Sequence, residues 1–112
     1  MGGRPFEKPL AWLHGEIKTP PFTTEGRVHV GFLLRKLQQG EVLSLPDSRP
    51  LSQIGKSCHE LRVRDGDVDW RLFYAVRPDA IVVLGVEKKG TQRTPKGTIQ
   101  SCKKRIAAYD RE

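Results

Sequence analysis

The run Ala80–Val86, Ala-Ile-Val-Val-Leu-Gly-Val, constrains this chain more than any other stretch. Successive side chains of a strand point to opposite faces, and here both faces are apolar and rich in β-branched residues, so the strand is expected to be buried on both sides. Two strands precede it. Cys58–Arg64 alternates, with Leu61 and Val63 on one face and Glu60, Arg62 and Arg64 on the other, and Trp70–Val76 comes next. The intervening turns, Asp65–Asp69 with its glycine and Arg77-Pro78-Asp79, are short and polar, which makes the three strands an antiparallel meander.

Helical periodicity flanks this sheet. Pro20-Pro21 forces an extended turn, and Thr23 or Thr24 can cap a helix over Glu25–Gln39 that stops at Gly40. Val30, Leu33, Leu34 and Leu37 form its core stripe. Val28 and Phe32 fall on the opposite side, where the chain's own 41–56 loop is expected to cover them; otherwise they face a partner. Residues 41–57, with Pro46 and Pro50, form a long connection with one helical turn near Leu51–Ile54. A last helix over Thr94–Tyr109 carries the stripe Ile99, Cys102, Ile106 and Tyr109, with Lys104 and Arg105 pointing away and Lys103 flanking. Pro9–Gly15 is read as a short first strand, after a loose segment over residues 1–8. The fold expected is a single α+β domain over residues 9–110, a small antiparallel-rich β-sheet packed against helices.

No apolar run approaches the roughly 20 residues of a membrane span, and Met1–Lys8 lacks the apolar core of a secretory signal. Cytoplasmic localisation and two reduced, buried thiols at Cys58 and Cys102 are the matching expectations. The net charge of +7 is unevenly placed. From Lys88 onward there are eight Lys or Arg against two acids, whereas residues 1–87 hold twelve against eleven. Clustered positive charge of this kind suits phosphate binding through counterion release. A solvated basic helix gives the same signal. His14, His29, His59, Cys58 and Cys102 include no close pair at metal-ligand spacing, and no phosphate-loop or dinucleotide fingerprint occurs.

The ordered set Ser48-Arg-Pro-Leu-Ser-Gln-Ile-Gly55, Cys58-His-Glu-Leu-Arg62, Trp70-Arg-Leu-Phe-Tyr74, an apolar strand, a Lys-Lys loop ending in Thr94-Pro95 and a final helix with Arg105 and Tyr109 resembles the RelE/ParE toxin superfamily. The likeness is closest to its HigB-like, phage-derived branch and spans Lys8 to Asp110. That resemblance implies a type II toxin, often one that cleaves messenger RNA on the ribosome, silenced by a helix-turn-helix antitoxin; no cofactor, metal or membrane is expected. One departure lies in the loop. The branch's pattern has an aromatic residue after the strand and then Lys-Lys-Thr, whereas here Glu87 follows Val86 and Gly90 separates the lysines from Thr91.

By position, the resemblance places catalytic cations at Arg62, Arg71, Lys88 and Lys89. A guanidinium fork suits a phosphate bidentately, so Arg62 and Arg71 are assigned to transition-state stabilisation; surface pairing with Glu60 or with Asp65, Asp67 and Asp69 is the plainer explanation. Arg64, Arg93, Lys96, Lys103, Lys104 and Arg105 are expected backbone-phosphate contacts. His59 is the best acid-base group by chemistry, but alternation puts it with Leu61, away from Arg62. Tyr74 and Tyr109 could stack on a base or simply pack. Two other functions fit the same resemblance: a ParE-type gyrase inhibitor, and a degenerate toxin that binds nucleic acid or a partner without cutting.

Overall fold

The computed structural model describes residues 7–13, 22–90 and 93–112; the Pro20-Pro21 turn lies outside them. Seven elements follow one another among the described residues: β1 Leu10–Trp12, α1 Thr24–Gln38, β2 Ser48–Pro50, β3 Cys58–Asp65, β4 Val68–Val76, β5 Ile81–Lys88 and α2 Lys96–Asp110. The strands make one sheet in the order β1-β5-β4-β3-β2. β3, β4 and β5 form the expected meander, β2 joins β3 antiparallel at one edge, and β1 runs parallel to β5 at the other. The domain is therefore α+β, with a mixed five-stranded sheet between two helices.

β2 falls inside the expected loop 41–57. Its three residues are too few to show periodicity, and Pro50 is tolerable there because β2 is an edge strand. Burial holds it in place: Ser48 is enclosed, and its hydroxyl lies 2.7 Å from the Tyr74 hydroxyl.

Each helix covers one face of the sheet, which is why β5 is apolar on both. Val30, Leu33, Leu34 and Leu37 of α1 pack on Leu61, Val63, Leu72, Tyr74, Ile81 and Val83. Cys102 and Ile106 of α2 pack on the opposite face against Phe73, Ala75, Val82 and Leu84, with Ile99 and Tyr109 at the margin. Each fully buried aliphatic side chain contributes about 1.5–3 kcal/mol. Both cysteines are free and buried.

The start of α1 is fixed by a contact distant in sequence. Thr23 caps the helix by accepting from Gly26 N–H, and its own backbone N–H and hydroxyl donate to Asp65 at the end of β3. These bonds, led by the hydroxyl, hold the Asp65 carboxyl below the usual aspartate range. At the other end of the molecule Arg77 grips Asp110 through two bonds of 2.8 and 2.9 Å, and the Tyr109 hydroxyl donates to Asp79 at 2.6 Å. The C-terminus of α2 is thereby tied to the β4–β5 turn.

Two details depart from simple periodicity. The β4–β5 ladder passes from Phe73↔Gly85 to Tyr74↔Val83, leaving Leu84 as a bulge. The extra residue shifts the phase of β5, so Glu87 pairs with Arg71 on the α2 face and Lys88 pairs with Trp70 on the α1 face. Val28 and Phe32, expected beneath the 41–56 loop, are instead 68% and 57% exposed. That loop runs past the flank of α1, where Pro46 and His29 line one groove, and leaves the outer face bare.

Candidate nucleic-acid interface

Strand alternation puts Glu60 and Arg62 of β3 on the α2 face together with Arg71 of β4, directly across from Arg62. Arg49 arrives from β2, opposite Glu60. A carboxylate among these arginines becomes their common acceptor. Glu60 Oε2 lies 3.3 Å from Arg62 Nε and 3.4 Å from Arg71 Nε, while Oε1 lies 3.3 Å from Arg49 Nη2. The Thr94 hydroxyl adds a bond to Oε1 at 3.0 Å. Neither Glu60 nor Arg71 has solvent-exposed surface. Burial alone would raise the Glu60 carboxyl, but the charges of Arg49 and Arg71 and the bonds from Thr94 and Arg49 hold it below the usual glutamate range. It is therefore an anion at neutral pH, fixed between three cations.

Two grooves flank this cluster. The larger, of about 620 Å³, is lined by Arg49, Arg93, Thr94 and Lys96 with residues 50–53 and Ile99, and among the described residues no carboxylate lines it. It also contains the start of α2, whose cap residue Pro95 offers no side-chain bond and whose first turn carries no acid. A helix N-terminus of this kind presents unpaired N–H groups and partial positive charge to an anion. The smaller groove, of about 280 Å³, is lined by Arg62, Arg64, Lys89, Trp70 and His29, with Asp47 and Asp69 tempering its charge. Arg64 is partly engaged there, 3.6 Å from Asp69. Arg49 Nε and Trp70 Nε1, one on each groove's lining residues, are buried and without a hydrogen-bond partner among the described residues. Because Glu60 holds Arg62 on one side and Arg49 and Thr94 on the other, it links the two grooves into a single cationic strip.

The expected site residues are thus divided. Arg62, Arg64 and Lys89 meet in the smaller groove; Arg93 and Lys96 meet in the larger. Arg71 is placed behind them, where it contacts Glu60 and donates to the Arg93 carbonyl at 3.3 Å. Lys88 does not join Arg71, because the Leu84 bulge turns it to the α1 face. Glu87 takes the position beside Arg71 and accepts from Thr98 at 2.7 Å. Arg105, expected to point away from the core, donates to the Leu84 carbonyl at 2.7 Å and lies over Gly85, where the lack of a side chain makes room for it. Lys103 and Lys104 are exposed on α2 and line neither groove.

His59 stacks on Tyr74 at 5.1 Å on the α1 side, and burial lowers its affinity for a proton. Tyr74 is enclosed, and burial raises its hydroxyl's pKa against the opposing bond with Ser48. Tyr109 belongs to the Asp79 tie and lines neither groove. Sequence reasoning missed Arg49, Thr94, His29 and Trp70 as site residues and took Glu60 only as a surface partner. A lone imidazole on a helix flank gives no signal, and Arg49 lay in a presumed loop. Among the described residues no group of three His, Cys, Asp or Glu side chains could hold a metal ion, and no helix is long and apolar enough to cross a membrane.

The family described as Phage derived protein Gp49-like (DUF891) matches residues 21–107. The chain belongs to this family. The Gp49-like match runs from the approach to α1 to near the end of α2, so it contains every residue of both grooves and the Glu60 cluster. It excludes only β1 among the elements. No curated protein and no solved structure matches the chain significantly.

Proposed function

We propose that this Gp49-like protein is the toxin of a type II toxin–antitoxin pair and cleaves messenger RNA on the ribosome, with a helix-turn-helix protein as its antitoxin. The observation that carries the reading is the cationic strip joined by Glu60, in which Arg49, Arg93 and Lys96 of one groove are linked to Arg62, Arg64 and Lys89 of the other. Membership of a phage-derived family is compatible with a toxin.

In this reading the larger groove holds backbone phosphates on Arg49, Arg93, Lys96 and the α2 N-terminus, contacts that position RNA without reading its sequence. Arg62, in the smaller groove, stabilises the charge that develops on the scissile phosphate, and Lys89 and Arg64 assist it. Arg71 and Glu60 are positioning residues that fix the Arg62 guanidinium. Cutting RNA without a metal requires a group that takes the 2′-hydroxyl proton and one that protonates the leaving 5′-oxygen. An imidazole exchanges protons near neutrality, and exposed His29 sits in the same groove as Arg62. His29 is accordingly proposed to take the 2′-hydroxyl proton, in place of His59 on the covered α1 side, and the Lys89 ammonium in the same groove to give a proton to the leaving 5′-oxygen.

The test is induction of the chain without its antitoxin, followed by mapping of RNA 5′ ends, and the same mapping with purified protein and translating ribosomes. Growth arrest with new cleavage sites is expected. His29→Ala and Arg62→Ala should each lower cleavage by about 10²-fold or more with the fold unchanged. An RNA pattern that stays constant while folded protein accumulates would reject the endonuclease.

A second reading is favoured by Glu87, which occupies the place beside Arg71 and reduces the positive potential at the start of α2. There the protein is a non-cutting RNA or partner binder. Salt-sensitive RNA binding with no cleavage, on or off ribosomes, would select it. Inhibition of DNA supercoiling would instead select the gyrase target.

A further inference from the structure

The outer face of α1 carries a pattern that the core does not use. Val28 and Phe32 are spaced one helical turn apart and are 68% and 57% exposed. Two further exposed apolar side chains, Val42 and Leu45, follow on the connection just after the helix. Of the five large exposed hydrophobics among the described residues, four therefore come from residues 28–45, the fifth being Leu13. The inner stripe of α1 is already fully buried against the sheet, and among the described residues this second stripe belongs to neither core. Apolar exposure concentrated in this way marks an interaction surface.

We propose that this face pairs with the same face of a second copy of the chain, two α1 helices meeting antiparallel about a twofold axis near Val30. The charge pattern identifies the occupant. Glu25 stands in the first turn and Arg35 and Lys36 in the last, on either side of the apolar pair. With 100° between successive residues, Glu25 and Lys36 fall on the same flank of the exposed face. Twofold antiparallel pairing sets each residue against one equally far on the other side of the centre. Val28 then meets Phe32 of the second copy, and Glu25, five residues from the centre, comes within one residue's rise, about 1.5 Å, of the level of Lys36 of the second copy, six residues from it on the same flank, once at each end. Parallel pairing would instead set Glu25 against Glu25 and Lys36 against Lys36, so the charges also fix the direction.

Within one chain these charges are weakly engaged. Lys36 Nζ lies 4.7 Å from the centre of its own Phe32 ring. Arg35 is 3.9 Å from Glu7 with 70% of its side chain exposed, a pair that exposure weakens. Gly31 beside the seam leaves open space where a side chain would stand, which permits close approach of the two backbones. His29 lies about 80° from the centre of the face by the same helical spacing. It stands on the same flank as Glu25 and Lys36, so the pairing borders the smaller groove, and the pairing does not depend on the RNA reading.

Sedimentation velocity of the purified full chain over a concentration series tests this. A reversible monomer–dimer equilibrium is expected. Phe32→Asp, a change at an exposed site that circular dichroism should show to be folded, is expected to leave only monomer. Glu25→Lys alone and Lys36→Glu alone should each raise the dimer dissociation constant roughly tenfold, and the two together should restore it because the pairs are re-formed with signs exchanged. A monomer at every concentration overturns the proposal and leaves the face to a different protein. A dimer that survives Phe32→Asp, or a double charge exchange no better than the single ones, overturns it as well.

Discussion

Arg71 Nε lies 3.4 Å from Glu60 Oε2, and neither side chain reaches solvent. A buried ion pair gains little over an apolar replacement, but breaking one by removing a single partner costs about 3–5 kcal/mol. Glu60→Ala should therefore lower the unfolding free energy by about that amount, since Arg71 stays enclosed with its charge. Replacing Glu60 and Arg71 together by Leu and Met should cost less than Glu60→Ala alone. Urea denaturation measures both, and a loss below about 1 kcal/mol for Glu60→Ala would remove the cluster's structural role.

Acid should expose the same arrangement. The folded Glu60 and Asp65 carboxyls lie below their ordinary values, so their stabilisation is complete above the unfolded values of about 4 and is lost as pH falls through the lower folded ones. His59, lowered by burial, acts in the same direction from about pH 6.5 downward. Stability measured between neutrality and about pH 3 should fall in these two stages, and Glu60→Gln should flatten the lower stage. An unchanged profile in that variant would show that Glu60 does not titrate as described.

RNA affinity should depend on cations by groove. For single strands the slope of log affinity against log salt is about −0.7 per phosphate contacted. Arg62→Ala and Lys96→Ala should each reduce that slope by about 0.7, whereas Lys104→Ala should leave it as it was. Fluorescence anisotropy at several salt concentrations distinguishes the outcomes, and equal effects from all three would mean that charge alone, without the grooves, governs binding.

Two glycines of one helix should respond with opposite sign. Gly→Ala in a helix interior gains about 1 kcal/mol, and Gly31 has open space for the methyl group. At Gly26 the methyl group would run into the Asp65 carboxylate, which Thr23 holds in place. At dilutions where the chain is monomeric, Gly31→Ala should raise the melting temperature and Gly26→Ala should lower it. Stabilisation by both would indicate that the Asp65 contact yields easily.

Native thiols should be inert. Burial pushes the Cys102 thiol up to about 11 and raises that of Cys58 as well, and thiolate is the reactive species. Neither should react with a disulfide reagent until denaturant is added. Rapid labelling of one thiol in the folded protein would reveal local opening of the α2 face.

The periodic parts of the fold were legible in the sequence. The inner stripe of α1, the meander of β3 to β5 and the apolar stripe of α2 each repeat often enough to state which side is covered. β2 is too short to repeat. The site was legible only in its ingredients: Arg62, Arg64, Lys89, Arg93 and Lys96 were expected, yet their division between two grooves depends on where Arg49 and Thr94 meet Glu60. These partners are 11 and 34 residues from Glu60. Alternation placed Glu60 correctly on its face but could not show that the face is closed there by a strand edge and a helix start. Lys88 falls apart from Arg71, while Lys89 reaches Arg62's groove, for a smaller reason, a single unpaired residue in β5.

That residue, Leu84, gives the sheet an unusual form of bookkeeping. Lys88 and Glu87 are neighbours of opposite sign, and which of them stands beside Arg71 depends on whether the count of residues before them is odd or even. Removing one residue at the bulge would exchange them across the sheet, delivering a lysine to the α2 face beside Arg71 and a glutamate to the α1 face, without altering either side chain. Charge on this surface is thus set by chain length as much as by composition, and a one-residue deletion could change its sign locally where a substitution would change it only in amount.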